Sequence, residues 1–194
     1  MKSRIYIIRH GQTEMNNKNV LQGRSDLPLN KTGLKQAQEA GVLLKKKGIV
    51  FDHVFSSPLI RAVQTATQSA PDIPVKIDDR LIEMDYGPYE GTDLRSPAPE
   101  IITFFSDFVH NPAPAGMEQL SSVVKRAGEF LEDIKDLEGN ILISTHAIAM
   151  KGILEYLTPE SKGSYWSRYI GNCAVYYADC IDGKYSIPVE LELQ

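Results

Sequence analysis

The chain has 194 residues, 42% of them hydrophobic, and a net charge of −4. That is enough apolar material for one substantial core, and there is no basic excess to draw the chain to nucleic acid or an anionic membrane. Only the apolar residues 5–8 precede Arg9, too short a run for a signal peptide or a membrane span, and the two cysteines, Cys173 and Cys180, are spaced for opposite faces of one strand, so reduced thiols in a cytoplasmic protein of one domain over 1–194 are expected.

Taken in chain order, the run Ile5-Tyr6-Ile7-Ile8 reads as a strand buried on both faces of a parallel sheet. Its carboxyl end delivers Arg9, His10 and Gly11. Strict alternation would aim Arg9 and His10 at opposite faces, so Gly11 is expected to turn the chain. A polar loop leads to Asn30, which caps a helix with Leu34, Ala37, Gly41 and Leu44 on one face and Gly48 as its stop. A short strand in FDHVFSS, Pro58, and the helical run LIRAVQTATQSA then complete a strand–helix–strand–helix unit.

Signals weaken from 71 to 116. VKIDDRLIEMDYG is partly extended, and PAPEIITFFSDFVHNPAPAG is an apolar, proline-flanked excursion expected to cap the rim of the sheet at about 92–118. Helical spacing returns at Leu120, Val123, Val124, Ala127, Phe130, Leu131 and Ile134. The apolar strand NILIST delivers His146, and AIAMKGILEYL opens a helix directly after it. An Asp182-Gly183 turn between two β-rich runs predicts an antiparallel hairpin. The sum is a three-layer α/β/α sandwich: a mostly parallel central sheet with an antiparallel edge, and a small helical cap over the active site.

Two histidines and an arginine at strand ends, if they converge, make a phosphoryl site in which one imidazole attacks and the other groups neutralise charge. The first-turn amides of the helix after His146 favour an anion beside that imidazole. Histidines 10, 53, 110 and 146 show no HxH or HxxxH pairing, and no carboxylate cluster has ligand spacing, so neither a metal nor another cofactor is expected. His53 and His110 read as ordinary structural residues. Thr13 and Asn16 carry a competing reading as turn caps.

The segments RHGQTEMN, SSPLIRAVQTA, LIEMDYGPYEG and STHA, in that order, resemble the histidine phosphatase superfamily, the phosphoglycerate mutase-like proteins, over residues 4 to about 176. The resemblance implies that His10 is the nucleophile that becomes phosphohistidine, and that Arg9, Arg61 and His146 grip the phosphate oxygens. It further implies that Asn16, Thr13, Gly23 and Ala147 border the phosphate, and that Glu83 protonates the leaving oxygen and then activates water. His10 must be neutral to attack, which neighbouring Arg9 and Arg61 favour, whereas a bound phosphate dianion favours a charged His146.

The chain departs from the family pattern at Ala147, commonly glycine, at Met15, often aromatic, and at Gly116 and Glu118, the nearest matches to a glycine-glycine-glutamate-serine segment. Residues 92–118 offer one basic side chain, Arg95, against four acids, which disfavours a mutase needing to hold a second acidic group. Phe104, Phe105, Phe108, Tyr86, Tyr89 and Met117 either line an apolar cap or pack it down, and Tyr165, Trp166 and Tyr169 are expected to pack. The reading is a metal-independent phosphomonoester hydrolase acting on a small molecule. The alternatives are a phosphoglycerate mutase-type phosphotransferase and, less favoured, a catalytically silent phosphate-binding module.

Overall fold

The computed structural model describes residues 2–193. β1 (Lys2–Arg9) lies inside a seven-stranded mixed sheet, beside β4 (Gly139–Thr145) in parallel and β5 (Val175–Ile181) in antiparallel. β2 (His53–Ser56) and β3 (Val75–Ile77) extend the parallel half, giving the order β3-β2-β4-β1-β5. β6 (Lys184–Tyr185) and β7 (Val189–Leu191) share the outer edge of β5 end to end, both antiparallel. Asp182 and Gly183 turn between β5 and β6 with φ of 50° and 72°, the paired left-handed geometry of a tight hairpin.

The unbroken apolar character of β1 follows from its position, since both faces are covered. Ile5, Ile7, Ile141 and Ile143 face α5 (Leu120–Ile134) and α6 (Ala147–Leu157) through Phe130, Leu131, Met150 and Ile153. Tyr6, Ile8 and Leu142 face α2 (Lys31–Lys46) and α3 (Ile60–Ser69) through Ala37, Ala40, Leu44 and Ala66. Small residues let α2 and α3 approach closely: Ser69 Oγ donates to Ala37 O at 3.2 Å, and a Cβ on Gly41 would lie 2.8 Å from Ser69 Cα. The Asn30 side chain accepts from Gly33 N at 2.8 Å, capping α2, and Gly48 follows its end with φ 76°. The buried stripe of α2 is Gly33, Ala37, Ala40 and Leu44, so it differs from the expected face; Leu34 points outward.

The excursion at 92–118 contains one helix, α4 (Pro99–Ser106), whose Ile101 and Phe104 join Tyr86, Met117, Leu21 and Ile148 in a separate apolar cluster. Phe105, Phe108 and Tyr89 pack against the same cluster, so the cap's aromatic residues serve chiefly to hold it down. Tyr165 and Trp166 are buried as expected, but Tyr169 is 89% exposed. Cys180 lies on β5, but Cys173 precedes the strand, in left-handed backbone at φ 56°; both are buried free thiols. Among the described residues no helix is long and apolar enough to cross a membrane.

Candidate active site

Strand register assembles the site. Arg9 pairs with Thr145, and Ser56 and Ile8 both pair with Ser144. The next residues of the three strands, His10, Ser57 and His146, therefore emerge together at the carboxyl edge of the parallel half, where α/β sheets place their ligands. The His10 and His146 ring centroids are 5.1 Å apart.

Gly11 lies outside the left-handed region, so conformational freedom is not what the position requires. Space is: a Cβ there would lie 2.5 Å from Gly33 O, because the loop after His10 runs against the first turn of α2. The loop is held further by Gly11 N donating to Thr65 Oγ1 at 3.0 Å and Asn172 Nδ2 donating to His10 O at 3.0 Å. α1 (Glu14–Asn17) follows it, and Thr13 and Asn16 form a reciprocal capping box at its start. Asn16 Oδ1 is thereby occupied by Thr13 N at 3.2 Å and Asn172 Nδ2 at 3.4 Å, while Thr13 Oγ1 donates to Gln22 Oε1 at 2.6 Å. Both residues border the site, with their oxygens already used in shaping the loop.

The tautomer of His10 follows from its partners. Nδ1 lies 2.7 Å from Gly11 O, an acceptor only, so Nδ1 carries the hydrogen; Arg61 Nε donates to Nε2 at 3.3 Å, so Nε2 holds the lone pair. Burial, then Arg61 and Arg9, push the His10 pKa well below its usual 6.5. Arg61 is fully buried on α3, its fork spread between Ser25 O at 2.7 Å and Gly23 O at 2.5 Å. Burial lowers its pKa to about 10, which leaves it charged at neutral pH. Gly23 thus acts through its carbonyl, and its N–H donates to Glu90 Oε1 at 2.9 Å.

His146 is fully buried, with Nε2 2.7 Å from Ser57 Oγ. Burial, followed by Arg61 and His10, pushes its pKa well down, so the fold holds it neutral. Its Nδ1 has no hydrogen-bond partner among the described residues; neither has Arg9 Nε, whose guanidinium is otherwise held by an Nη1 bond to Ile170 O at 2.5 Å. Two buried nitrogens on residues flanking His10 are thus left for an anion to satisfy.

The helix start after His146 departs from expectation. The amides of Ile148 and Ala149 are taken by Glu83, whose Oε2 accepts from Ile148 N at 3.2 Å and Oε1 from Ala149 N at 2.9 Å and Met84 N at 2.8 Å. The group seated on the start of α6 is the protein's own Glu83 carboxyl, on the helix that follows His146; Ala147 opens the same helix. His53 lies on β2 away from this edge, and His110 is exposed and paired with Asp107 at 2.7 Å. Ser57, Thr65, Gln22, Glu90 and Asn172 were not singled out from the sequence. Ser57 and Thr65 fall inside the SSPLIRAVQTA segment, whereas nothing local marks Asn172. Among the described residues no group of three or more His, Cys, Asp or Glu is arranged to hold a metal ion.

The family model for the histidine phosphatase superfamily (branch 1) matches residues 5–189. The protein named "Putative phosphoserine phosphatase 2" of Hydrogenobacter thermophilus is 33% identical over 180 residues, 89% of this chain and 87% of that one. A 2,3-bisphosphoglycerate-dependent phosphoglycerate mutase of Methylobacterium sp. is 33% identical over 183 residues, 83% of this chain and 85% of that one. Phosphoserine phosphatase from Entamoeba histolytica in complex with 3-phosphoglyceric acid superposes with a TM-score of 0.79 at 26% identity, covering 98% of this chain and 95% of that one. With the family model spanning nearly the whole chain, and phosphatases among both the sequence and the structural relatives, the chain belongs to branch 1 of the histidine phosphatase superfamily and is a phosphatase of that family.

Proposed function

We propose that the chain hydrolyses small phosphomonoesters through a phosphohistidine formed on His10 Nε2. The observation that carries this reading is the preset state of His10: neutral, protonated on Nδ1 by its bond to Gly11 O, and presenting the Nε2 lone pair beside the Arg61 guanidinium. The phosphoryl group enters between His10 and the cations Arg9 and Arg61, which neutralise charge on its oxygens without any proton transfer. Nε2 attacks phosphorus as the ester oxygen departs, taking a proton from the Glu83 carboxyl. Glu83, now a carboxylate, removes a proton from water, which attacks phosphorus and frees His10. A bound dianion beside His146 raises the pKa that burial holds down, so His146 takes up a proton as the anion binds and donates to it from Nδ1. The relatives' substrates make phosphoserine and 3-phosphoglycerate the first esters to test.

The test is metal-free turnover in EDTA, with His10→Ala and Glu83→Gln alongside. Phosphate release is expected from the unaltered protein and a loss of at least about 10⁴-fold in His10→Ala. Glu83→Gln is expected to lose about 10²-fold or more on alkyl phosphates and far less on p-nitrophenyl phosphate, whose leaving group needs little protonation. Turnover that survives in His10→Ala sinks the nucleophile assignment. Conversion of 3-phosphoglycerate to its isomer, dependent on a bisphosphate primer and faster than hydrolysis, would favour the mutase instead.

A further inference from the structure

The acid candidate sits in a stretch without regular structure, between single 3₁₀ turns at Asp79–Leu81 and Gly87–Tyr89. Its carboxyl group is tied to α6, but nothing in secondary structure fixes the backbone from which it projects. Arg126 does so from α5. Its Nη1 donates to Arg80 O at 2.6 Å and Ile82 O at 2.5 Å, the second being the carbonyl directly before Glu83. Its other two nitrogens donate to Glu118, Nε to Oε1 at 2.8 Å and Nη2 to Oε2 at 3.2 Å. Glu118 in turn holds the chain on the far side of Glu83: its Oε2 accepts from Asp85 N at 3.2 Å, and its own N–H donates to Asp85 O at 2.8 Å. Arg126 and Glu118 are largely buried, with side chains 14% and 12% exposed. A planar fork that engages two carbonyls and a carboxylate at once defines a geometry that a flexible ammonium does not.

Arg24 closes the arrangement from the nucleophile side, with Nη2 on Glu118 Oε2 at 3.3 Å and Nε on Glu83 O at 3.4 Å.

We propose that Arg126, with Glu118, is a positioning residue for Glu83: the pair clamps the backbone on both sides of the acid and so aims its carboxyl at the leaving oxygen. This rests on the reading of Glu83 as the general acid. The bonds of Arg126 go to the loop carbonyls and to Glu118, and none goes to His10, Arg9, Arg61 or His146; the pair acts through the loop, and a misplacement of about 1 Å at a catalytic group is enough to cost 10²-fold in rate.

Two variants test it. Arg126→Lys keeps a positive charge opposite Glu118 but loses the fork, and the double variant Arg126→Met/Glu118→Gln removes both charges together, so neither is left buried alone. The readout is the ratio of kcat/KM for an alkyl phosphate to that for p-nitrophenyl phosphate on one preparation, which a reduced folded fraction does not change. The ratio is expected to fall by about 10-fold or more in both variants, and combining either with Glu83→Gln is expected to give the ratio of Glu83→Gln alone, with no fall beyond it. An unchanged ratio in the clamp variants, beside a lowered ratio in Glu83→Gln, overturns the positioning role and leaves the acid assignment standing. A fall beyond that of Glu83→Gln alone when the two are combined also overturns it, since the clamp would then act elsewhere. An unchanged ratio in Glu83→Gln itself defeats the acid assignment, and the positioning role with it.

Discussion

Arg61 combines three tasks in one side chain, and each uses a different nitrogen. Nε meets the His10 lone pair, Nη1 holds Ser25 O and Nη2 holds Gly23 O, all without exposure to solvent. Lysine at this position would retain the charge but leave at least one carbonyl unmatched, at a cost of about 1–3 kcal/mol for each buried group left unsatisfied. It would also lose the directional donor aimed at His10 Nε2. Arg61→Lys is therefore expected to reduce kcat/KM by about 10²–10³-fold, while Arg24→Lys, at a half-exposed residue with contacts of 3.3–3.4 Å, changes it far less. Steady-state kinetics of the two variants on one ester decide the matter; equal losses would show that Arg61 contributes only bulk positive charge.

At the level of elements, the site depends on how closely the loop after His10 lies against α2. A Cβ on Gly33 would overlap Gln12 O, and one on Gly11 would meet Gly33 O, so the two glycines form the contact between loop and helix. Gly33→Ala is expected to destabilise the fold by about 1–3 kcal/mol as overpacking does, and to lower kcat/KM more than the loss of stability explains, because Gln12 lies two residues from His10. Thermal unfolding and kinetics on the same sample check both parts; a lowered Tm with unchanged kcat/KM would show that the loop relaxes without moving His10. Much of this arrangement was legible in the sequence. The apolar runs of β1 and β4 declare strands covered on both faces, and Asn30 and Gly48 bound α2. What remained hidden was tertiary: Gly33 looks like an ordinary weak helix residue until Gln12 is placed above it, and Leu34 satisfies the same periodicity as the true stripe one residue earlier. Glu83 lies in a stretch with no hydrophobic period, so only its motif context marked it. Asn172 and Arg126 act on backbone groups about 162 and 44 residues away along the chain, and no local pattern reports such contacts.

Across the whole molecule, placing two imidazoles beside two arginines inside the protein links folding to pH. Both His10 and His146 have pKa values pushed well below 6.5 in the folded state, by burial first and by the Arg61 charge second. In the unfolded chain each titrates near 6.5. Below that pH the unfolded chain binds protons that the folded one refuses, so stability is full above about pH 6.5 and is lost as the pH falls toward the depressed folded values. Each histidine contributes a slope of at most about 1.4 kcal/mol per pH unit, and the two together about 2.7. Chemical denaturation at fixed pH values from 7 to 5 is therefore expected to show a fall in unfolding free energy, and the variant His10→Ala/His146→Asn is expected to show a shallower one. Saturating phosphate is also expected to shift the limb to lower pH, because a dianion bound beside His146 would let the folded protein accept a proton there that burial and the arginines otherwise exclude. An acid limb of unchanged slope in the double variant would locate the pH dependence in the carboxylates, and would mean that the histidines are not held neutral by the fold.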